Sequence, residues 1–339
     1  MPADTAPRAF PRGLPPQGIV FHADNLDVLP TFADESFTVI YLDPPFNTGR
    51  VQRRQSTTAV RSDPDAVRPD VPAKRGRPAL HSSPAASASQ SSPASPAAAG
   101  TQGTRTVSAR PDRVPPTVMG FKGQQYDRIK GDLLRYDDRF DDYWEFLEPR
   151  IVEAWRLLAP DGTLYLHLDY REAHYAKVLL DALFGRESFL NEIIWAYDYG
   201  AKSKNRWPTK HDTILVYVKD PKGYYFDSAT VDREPYMAPG LVTPERAALG
   251  KLPTDVWWHT IVSPTGREKT GYPTQKPEGV LRRIVQASSR EGDWVLDFFA
   301  GSGTTGAVAS ALGRSYVLVD RNPEALEVIR RRLPTALYE

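Results

Sequence analysis

The sequence predicts an α/β protein built on a mostly parallel sheet wrapped by helices. Three observations carry that expectation. Short apolar, β-branched runs such as FTVIYL (37–42) read as strands buried on both faces. Amphipathic helices alternate with them, the clearest marked by Phe140, Tyr143, Trp144, Leu147, Ile151, Ala154, Trp155 and Leu158 at steps of three and four. Near the C-terminus, a strand enters a glycine-rich turn that opens directly into a helix.

The elements follow in order. GIVFHA (18–23) and FTVIYL are the first strands, and the amphipathic helix ends at the Asp161-Gly162 turn before strand GTLYLHLD (162–169). REAHYAKVLLDALF (171–184) is a second helix. Strand DWVLDFF (293–299), helix TTGAVASAL, strand SYVLVD (315–320) and helix PEALEVIRRRL complete the pattern. Two stretches break it. Residues 51–117 collapse to Pro, Ala, Ser, Arg and Gly, and Leu80 is the one large apolar side chain between Pro78 and Gly100. Such a segment buries too little surface to offset its ordering entropy, so a disordered insert is expected. Residues 190–272 lose the alternation to aromatic, basic and turn residues, which suggests a small recognition subdomain. The expected division is therefore 1–50 with 118–189, the insert 51–117, the recognition region 190–272, and a closing part 273–339.

Composition narrows the chemistry. The chain has no cysteine, which excludes disulfides, thiolate zinc sites and a cysteine nucleophile. Methylation of cytosine at C5, which needs a thiolate, and cysteine-ligated zinc deamination are both excluded. No histidine shows metal-ligand spacing, no metal is expected, and His22, His167 and His211 read as strand residues with satisfied partners. No apolar run approaches the roughly 20 residues of a membrane span, and MPADTAPRAFPRG lacks a signal-peptide core, so a soluble, cytoplasmic chain without membrane partners is expected. A formal charge of +1 gives no global sign of nucleic acid, so such a partner must be met by local basic patches.

Two loops carry the functional signal. Asp297-Phe298-Phe299-Ala300-Gly301-Ser302-Gly303-Thr304-Thr305-Gly306 joins a strand to a helix. Its glycines allow a sharp turn and close backbone approach, and the helix N-terminus favours an anion. Asp320 closes the next strand, where an acid can accept from ribose hydroxyls. Taken alone, this turn fits an adenosine-containing cofactor, NAD included. The second loop, Asp43-Pro44-Pro45-Phe46, sits where a strand ends. Its prolines stiffen the backbone and leave carbonyls free to accept. An ionised Asp43 beside the Pro44 carbonyl makes a pair of acceptors suited to an exocyclic amine, and Phe46 offers a flat face for a base.

Together the loops resemble those of the β group of amino-methylating DNA methyltransferases. These are S-adenosyl-L-methionine (AdoMet)-dependent enzymes with a Rossmann-like fold. The motif order is the circularly permuted one of that group: catalytic loop first, recognition region next, cofactor loop last. HADNLDVL (22–29) resembles the segment at the cofactor's adenine and implies a role for Asp24. YLDPPFNTG resembles the catalytic motif and implies Asp43, Pro44, Pro45 and Phe46. YPTQKPEGVLRRIVQASSREGDWVLDFFAGSGTTG resembles the C-terminal signature. It implies cofactor contacts from Lys276, Asp297, Phe299, Gly301, Ser302, Gly303, Thr304 and Thr305, with Asp320 beyond. The resemblance implies AdoMet, a flipped base in double-stranded DNA and transfer to nitrogen. Asp at the first loop position favours adenine N6, with cytosine N4 the alternative. It leaves open a homodimer and a cognate restriction enzyme as partners.

Lys202, Lys204 and Arg206, next to Trp207, are candidate phosphate contacts, with Arg267, Lys269, Trp257 and Trp258 as similar candidates. Arg75 and Arg77, within Lys74-Arg75-Gly76-Arg77-Pro78, resemble an AT-hook core that lies in a narrow minor groove. Two other functions compete. Methylation of RNA or of a protein amide uses a similar Pro-Pro loop, but usually with Asn first and the loop after the glycine turn. A nicotinamide dehydrogenase accounts for the glycines and Asp320 yet gives Asp43-Pro44-Pro45-Phe46 no task.

Overall fold

The computed structural model describes residues 6–46, 50–61, 117–119, 125–138, 143–198, 200, 202–263 and 265–339. Two compact units emerge, one of 1–54 with 133–339 and one of 55–132. The larger is organised on a nine-stranded sheet. Its strands are β1 (Gly18–His22), β2 (Phe37–Leu42), β6 (Leu158–Leu168), β7 (Phe189–Ala196), β8 (His211–Val218), β9 (Val256–Trp258), β10 (Trp294–Asp297), β11 (Ser315–Asp320) and β12 (Leu337–Tyr338), in spatial order β12-β1-β11-β10-β2-β6-β8-β7-β9. From β12 to β6 every neighbouring pair is parallel, as the sequence suggested.

The alternation of side chains sorts two cores. Ile40 and Leu42 of β2, Leu296 of β10 and Val317 of β11 face one side, where α2 (Tyr143–Leu157) and α3 (Ala173–Phe184) cover them. Val39 and Tyr41, Val295 and Leu318 face the other, under α5 (Glu278–Ser288), α6 (Thr304–Ala311) and α7 (Pro323–Arg332). A strand buried on both sides has no polar face to show, which explains the unbroken apolar run of β2.

The segment 190–272 contributes β7, β8 and β9 to the sheet itself. There β8 runs antiparallel to both β6 and β7, and an antiparallel hairpin needs no crossover helix. That is why helix–strand alternation disappears in this stretch. In the smaller sheet, β3 (Arg50–Arg61), β5 (Gln125–Asp138) and β4 (Thr117–Met119) stand in that order, with β4 and β5 antiparallel. The strand at Arg50–Arg61 falls at the start of the stretch expected to lack structure; residues 62–116 of that stretch lie outside the described residues. No described helix is long and apolar enough to cross a membrane.

Candidate active site

The β2 and β10 strands are parallel neighbours, Val39 opposite Val295 and Ile40 opposite Leu296, so their following loops leave the sheet at one edge. From β10 the chain goes through α6 to β11 on one side; from β2 it reaches β6 on the other. A crevice opens where the strand order diverges in this way, at the carboxyl ends of the strands. Here it is a cavity of about 360 Å³. The Asp43 loop and the glycine turn form adjoining walls, and Asp24 and Asp320, at the ends of β1 and β11, form the far side.

Most of the residues picked from the sequence meet there. Asp24, Asp43, Pro45, Lys276, Asp297, Phe299, Gly301, Ser302, Thr304, Thr305 and Asp320 all line the cavity. Pro44 is buried behind it, and Phe46 packs on the α2 side of the sheet with its ring 5.8 Å from the His167 ring. Gly303 departs from the expectation. It has φ +70 as the N-cap of α6, and a Cβ there would meet Ile329 of α7 at 3.0 Å. The glycine is needed for a left-handed turn and for close packing of two helices, and it is not among the residues that line the cavity. Gly301 (φ +50) serves the cavity, because a Cβ there would come within 3.2 Å of the Tyr272 ring on its wall.

The glycine turn is held by carboxylates at both ends. Asp297 accepts from the Phe299 amide at 3.0 Å and the Thr305 hydroxyl at 2.6 Å, tying the end of β10 to the start of α6. Burial pushes its carboxyl up to about 7. Asp320 accepts from the Gly301 amide at 2.7 Å and the Asn322 amide at 2.8 Å, and burial raises its pKa as well. On the other side of the turn, Arg332 donates to the Ser302 carbonyl and the Thr304 hydroxyl, and the latter donates to the Lys276 carbonyl at 3.1 Å.

Different contacts hold the Asp43 loop. The Lys276 ammonium is bound to Asp43 Oδ2 and lies 4.9 Å from the centroid of the Phe46 ring. Among the described residues, Asp43 Oδ1 is buried without a hydrogen-bond partner. A buried carboxylate oxygen with no donor is costly, and such atoms commonly mark a place where a ligand supplies one.

Several residues here escaped the sequence reading. Arg150, in α2, bonds to Asn25 at 2.6 Å and to Asp24 at 3.0 Å, and its guanidinium lies over the Phe146 ring. Its signal was a charged residue on the apolar face, between Leu147 and Ile151. Behind the Asp43 loop, the Tyr41 hydroxyl is hydrogen-bonded to His167 Nδ1 at 2.7 Å, His167 Nε2 reaches Asp212 at 3.4 Å, and Tyr197 donates to Asp212 at 3.1 Å. His167 is the partnered strand residue expected, yet it also buttresses Phe46.

The basic candidates lie elsewhere on the same edge. Lys202, Lys204 and Arg206 are exposed on the loop from β7 to β8. The β7 and β8 strands are antiparallel, as are β8 and β6, so β7 points the same way as β2 and this loop leaves at the edge where Asp43 lies. Trp207 is 93% exposed and Trp258 75%, whereas Trp257 belongs to the core. Arg267 is exposed. Arg75 and Arg77 lie outside the described residues.

Comparison with known proteins places this arrangement. The N6/N4 DNA methylase profile matches residues 37–331. The chain is 35% identical over 206 residues to the DNA adenine methyltransferase YhdJ of Escherichia coli, covering 58% of this chain and 69% of that one. It is 34% identical over 196 residues to the type II methyltransferase M.HpaI of Haemophilus parainfluenzae, covering 57% of this chain and 60% of that one. Against M2.LlaDCHI of Lactococcus lactis subsp. cremoris, identity is 44% over 216 residues, with 62% and 74% covered. Among solved structures, the cytosine-N4-specific PvuII DNA methyltransferase has a TM-score of 0.52 at 12% identity, spanning 97% of this chain and 99% of that one, a likeness of fold. With a profile match over most of its length and both signature loops on one cavity, the chain belongs to the N6/N4 DNA methylase family.

Proposed function

We propose that the protein transfers a methyl group from AdoMet to the exocyclic amino nitrogen of a base flipped out of double-stranded DNA, adenine N6 in preference to cytosine N4. The observation that carries this is the pairing of an unsatisfied, buried Asp43 Oδ1 with a glycine turn on one cavity. The residues fit the cofactor: the Gly301 position would lose its space to a Cβ, and two buried carboxylates stand ready for hydroxyls and a cation. Asp320 and Asp24 would hold its adenosine end, and Asp297 and Lys276 its amino-acid end. The cofactor supplies a methyl already attached to a sulfonium, so the leaving group departs as a neutral thioether.

What the chain adds is orientation and hydrogen bonding. An exocyclic amine is conjugated with its ring and is a poor nucleophile. Acceptance by Asp43 and the Pro44 carbonyl favours a pyramidal nitrogen whose lone pair is free to attack, while Phe46 takes the ring face lost on leaving the stack. With the cofactor bound, the nitrogen would form its bond to the methyl as the sulfonium bond breaks, and its extra proton would pass through the hydrogen-bonded Asp43 carboxylate to solvent. Asp43 at the loop's first position favours adenine, as does the 35% identity to an enzyme named for adenine methylation. Residues 190–272 supply the recognition region in this reading. Lys202, Lys204 and Arg206 meet phosphates on the active-site edge, Arg75 and Arg77 are further DNA contacts, and the setting is the cytoplasm. A second copy and a cognate restriction enzyme are the partners to look for.

The test is expression in a host that lacks DNA methylation, followed by single-molecule sequencing of its DNA. Modified adenine in one sequence context is expected. Modified cytosine would reverse the base assignment, and unmodified DNA from folded, AdoMet-binding protein would overturn the function.

A further inference from the structure

Lys276 engages both groups that the proposed function gives to the base. Its ammonium is bound to Asp43 Oδ2 and lies over the face of Phe46 at 4.9 Å. That is the pattern of an amine donating to the carboxylate above a stacked ring, made by the protein's own side chain. The Lys276 backbone is fixed, because its carbonyl accepts from Thr304 at the start of α6. The side chain is therefore anchored at the wall between the glycine turn and the Asp43 loop, and a change of partner needs only rotation about its own bonds.

The distribution of cations round the cavity shows what else could claim it. Arg150, Arg321 and Lys276 line the space. Arg150 and Arg321 both pair with Asp24, at the β1 end. Among the described residues, Lys276 is the lining cation at the Asp43 end. A cofactor with its ribose at Asp320 and its methyl directed to Asp43 has its amino-acid end on this side. The α-carboxylate of that end would pair with a cation there, because a buried carboxylate left without a cation or hydrogen-bond donors is expensive.

We propose that Lys276 is shared between Asp43 and the cofactor's α-carboxylate, so that cofactor binding draws the ammonium off the catalytic loop and frees Asp43 and Phe46 for the base. Lys276 is thus a positioning residue that imposes an order, cofactor before base. This deepens the reading above and rests on it. Before the cofactor enters, Lys276 competes with the incoming amine for Asp43; afterwards the amine meets Oδ1 and Oδ2 both open. No bond is made or broken in the exchange.

The test is calorimetric titration with AdoMet and with decarboxylated AdoMet, which keeps the sulfonium and lacks the carboxylate. Five full-length proteins are compared: wild type, Asp43→Asn, Lys276→Met, Lys276→Arg and the Asp43→Asn/Lys276→Met double variant. The wild type should prefer AdoMet by tenfold or more. Lys276→Met should abolish that preference, and Lys276→Arg, which keeps the charge, should retain it. Asp43→Asn should widen the preference at least threefold, because the competing carboxylate is gone, and the double variant should show no widening. A preference untouched by Asp43→Asn, or one that survives in Lys276→Met, would overturn the sharing. Failure of the underlying reading shows separately: Asp43→Asn protein that still methylates DNA would remove Asp43 from the chemistry, whatever the isotherms give.

Discussion

The two loops that meet at the cavity are held in opposite ways. The glycine turn is braced from within: Asp297 and Asp320 each accept from two donors, and Arg332 secures the turn from α7. The Asp43 loop has two stiffening prolines, one ion pair to Lys276 and an acceptor left without a donor. The first arrangement suits a site that must be ready before its ligand comes. The second leaves hydrogen-bonding capacity unspent, which suits a group that acts on a substrate. In the proposed function, preorganised and unsatisfied polar groups divide along the line between cofactor and base.

The sharpest way to break that comparison is at Asp43. Asp43→Ala should lower methyl transfer at least about 100-fold, the scale of a lost charge-stabilising or acid–base group, while AdoMet still binds. Transfer above a tenth of wild type in a tritium-incorporation assay would show that the unsatisfied oxygen has no part in catalysis.

Asp297 tests the braced side through pH. Its folded pKa of about 7 lies above the ordinary carboxylate value of 3.8, so the folded protein holds the extra proton between these limits. The contribution of Asp297 to stability is therefore fully present below about 4 and is lost as pH rises toward 7, at up to roughly 1.4 kcal/mol per pH unit. Asp297→Asn should flatten the fall in thermal midpoint between pH 4.5 and 7.5. A cationic ligand favours the ionised form, so AdoMet affinity should weaken as pH drops below 7 and the proton must be expelled. Calorimetry in buffers of different ionisation heat would detect that proton, and heats independent of buffer at pH 6.5 would refute the coupling.

Smaller effects follow further out. Phe46→Ala should weaken DNA-dependent steps by about 1–3 kcal/mol, the worth of one stacked base, while Phe46→Tyr stays near wild type in a DNA-binding titration. Lys202→Ala with Arg206→Ala should lower DNA affinity across sequences and flatten the salt slope by about 0.9 per lost phosphate contact. An unchanged slope would take this loop off the DNA.

What the sequence disclosed follows the same division. The Asp43 loop and the glycine turn announce themselves because their chemistry is local: two prolines after an acid, or glycines between a strand and a helix. Most of the sheet was legible for a similar reason, since β2 and β11 are short apolar runs with turn residues after them. The ties that unite the site were hidden. Lys276 reaches Asp43 across 233 residues, Arg150 reaches Asp24 across 126, and Tyr41 reaches His167 across 126. No periodicity encodes such pairs. At Gly303 helix packing already requires a glycine, a demand that looks, in sequence, the same as one made by a ligand. The strand Arg50–Arg61 was missed because its sequence is polar and arginine-rich, without an apolar face to announce it.

The position of β1 has a consequence for how the molecule is made. It pairs with β11, Gly18 opposite Tyr316, and β2 pairs with β10 across a similar span. The walls of the cavity are therefore assembled from chain segments emerging from the ribosome some 300 residues apart. During synthesis, β1 and the β10 side of β2 wait as open edges with no partner yet available. The wall of the cavity formed by the glycine turn can close only after β11 has appeared, so the loop that carries Asp43 is synthesised well before the strands that complete the adjoining wall.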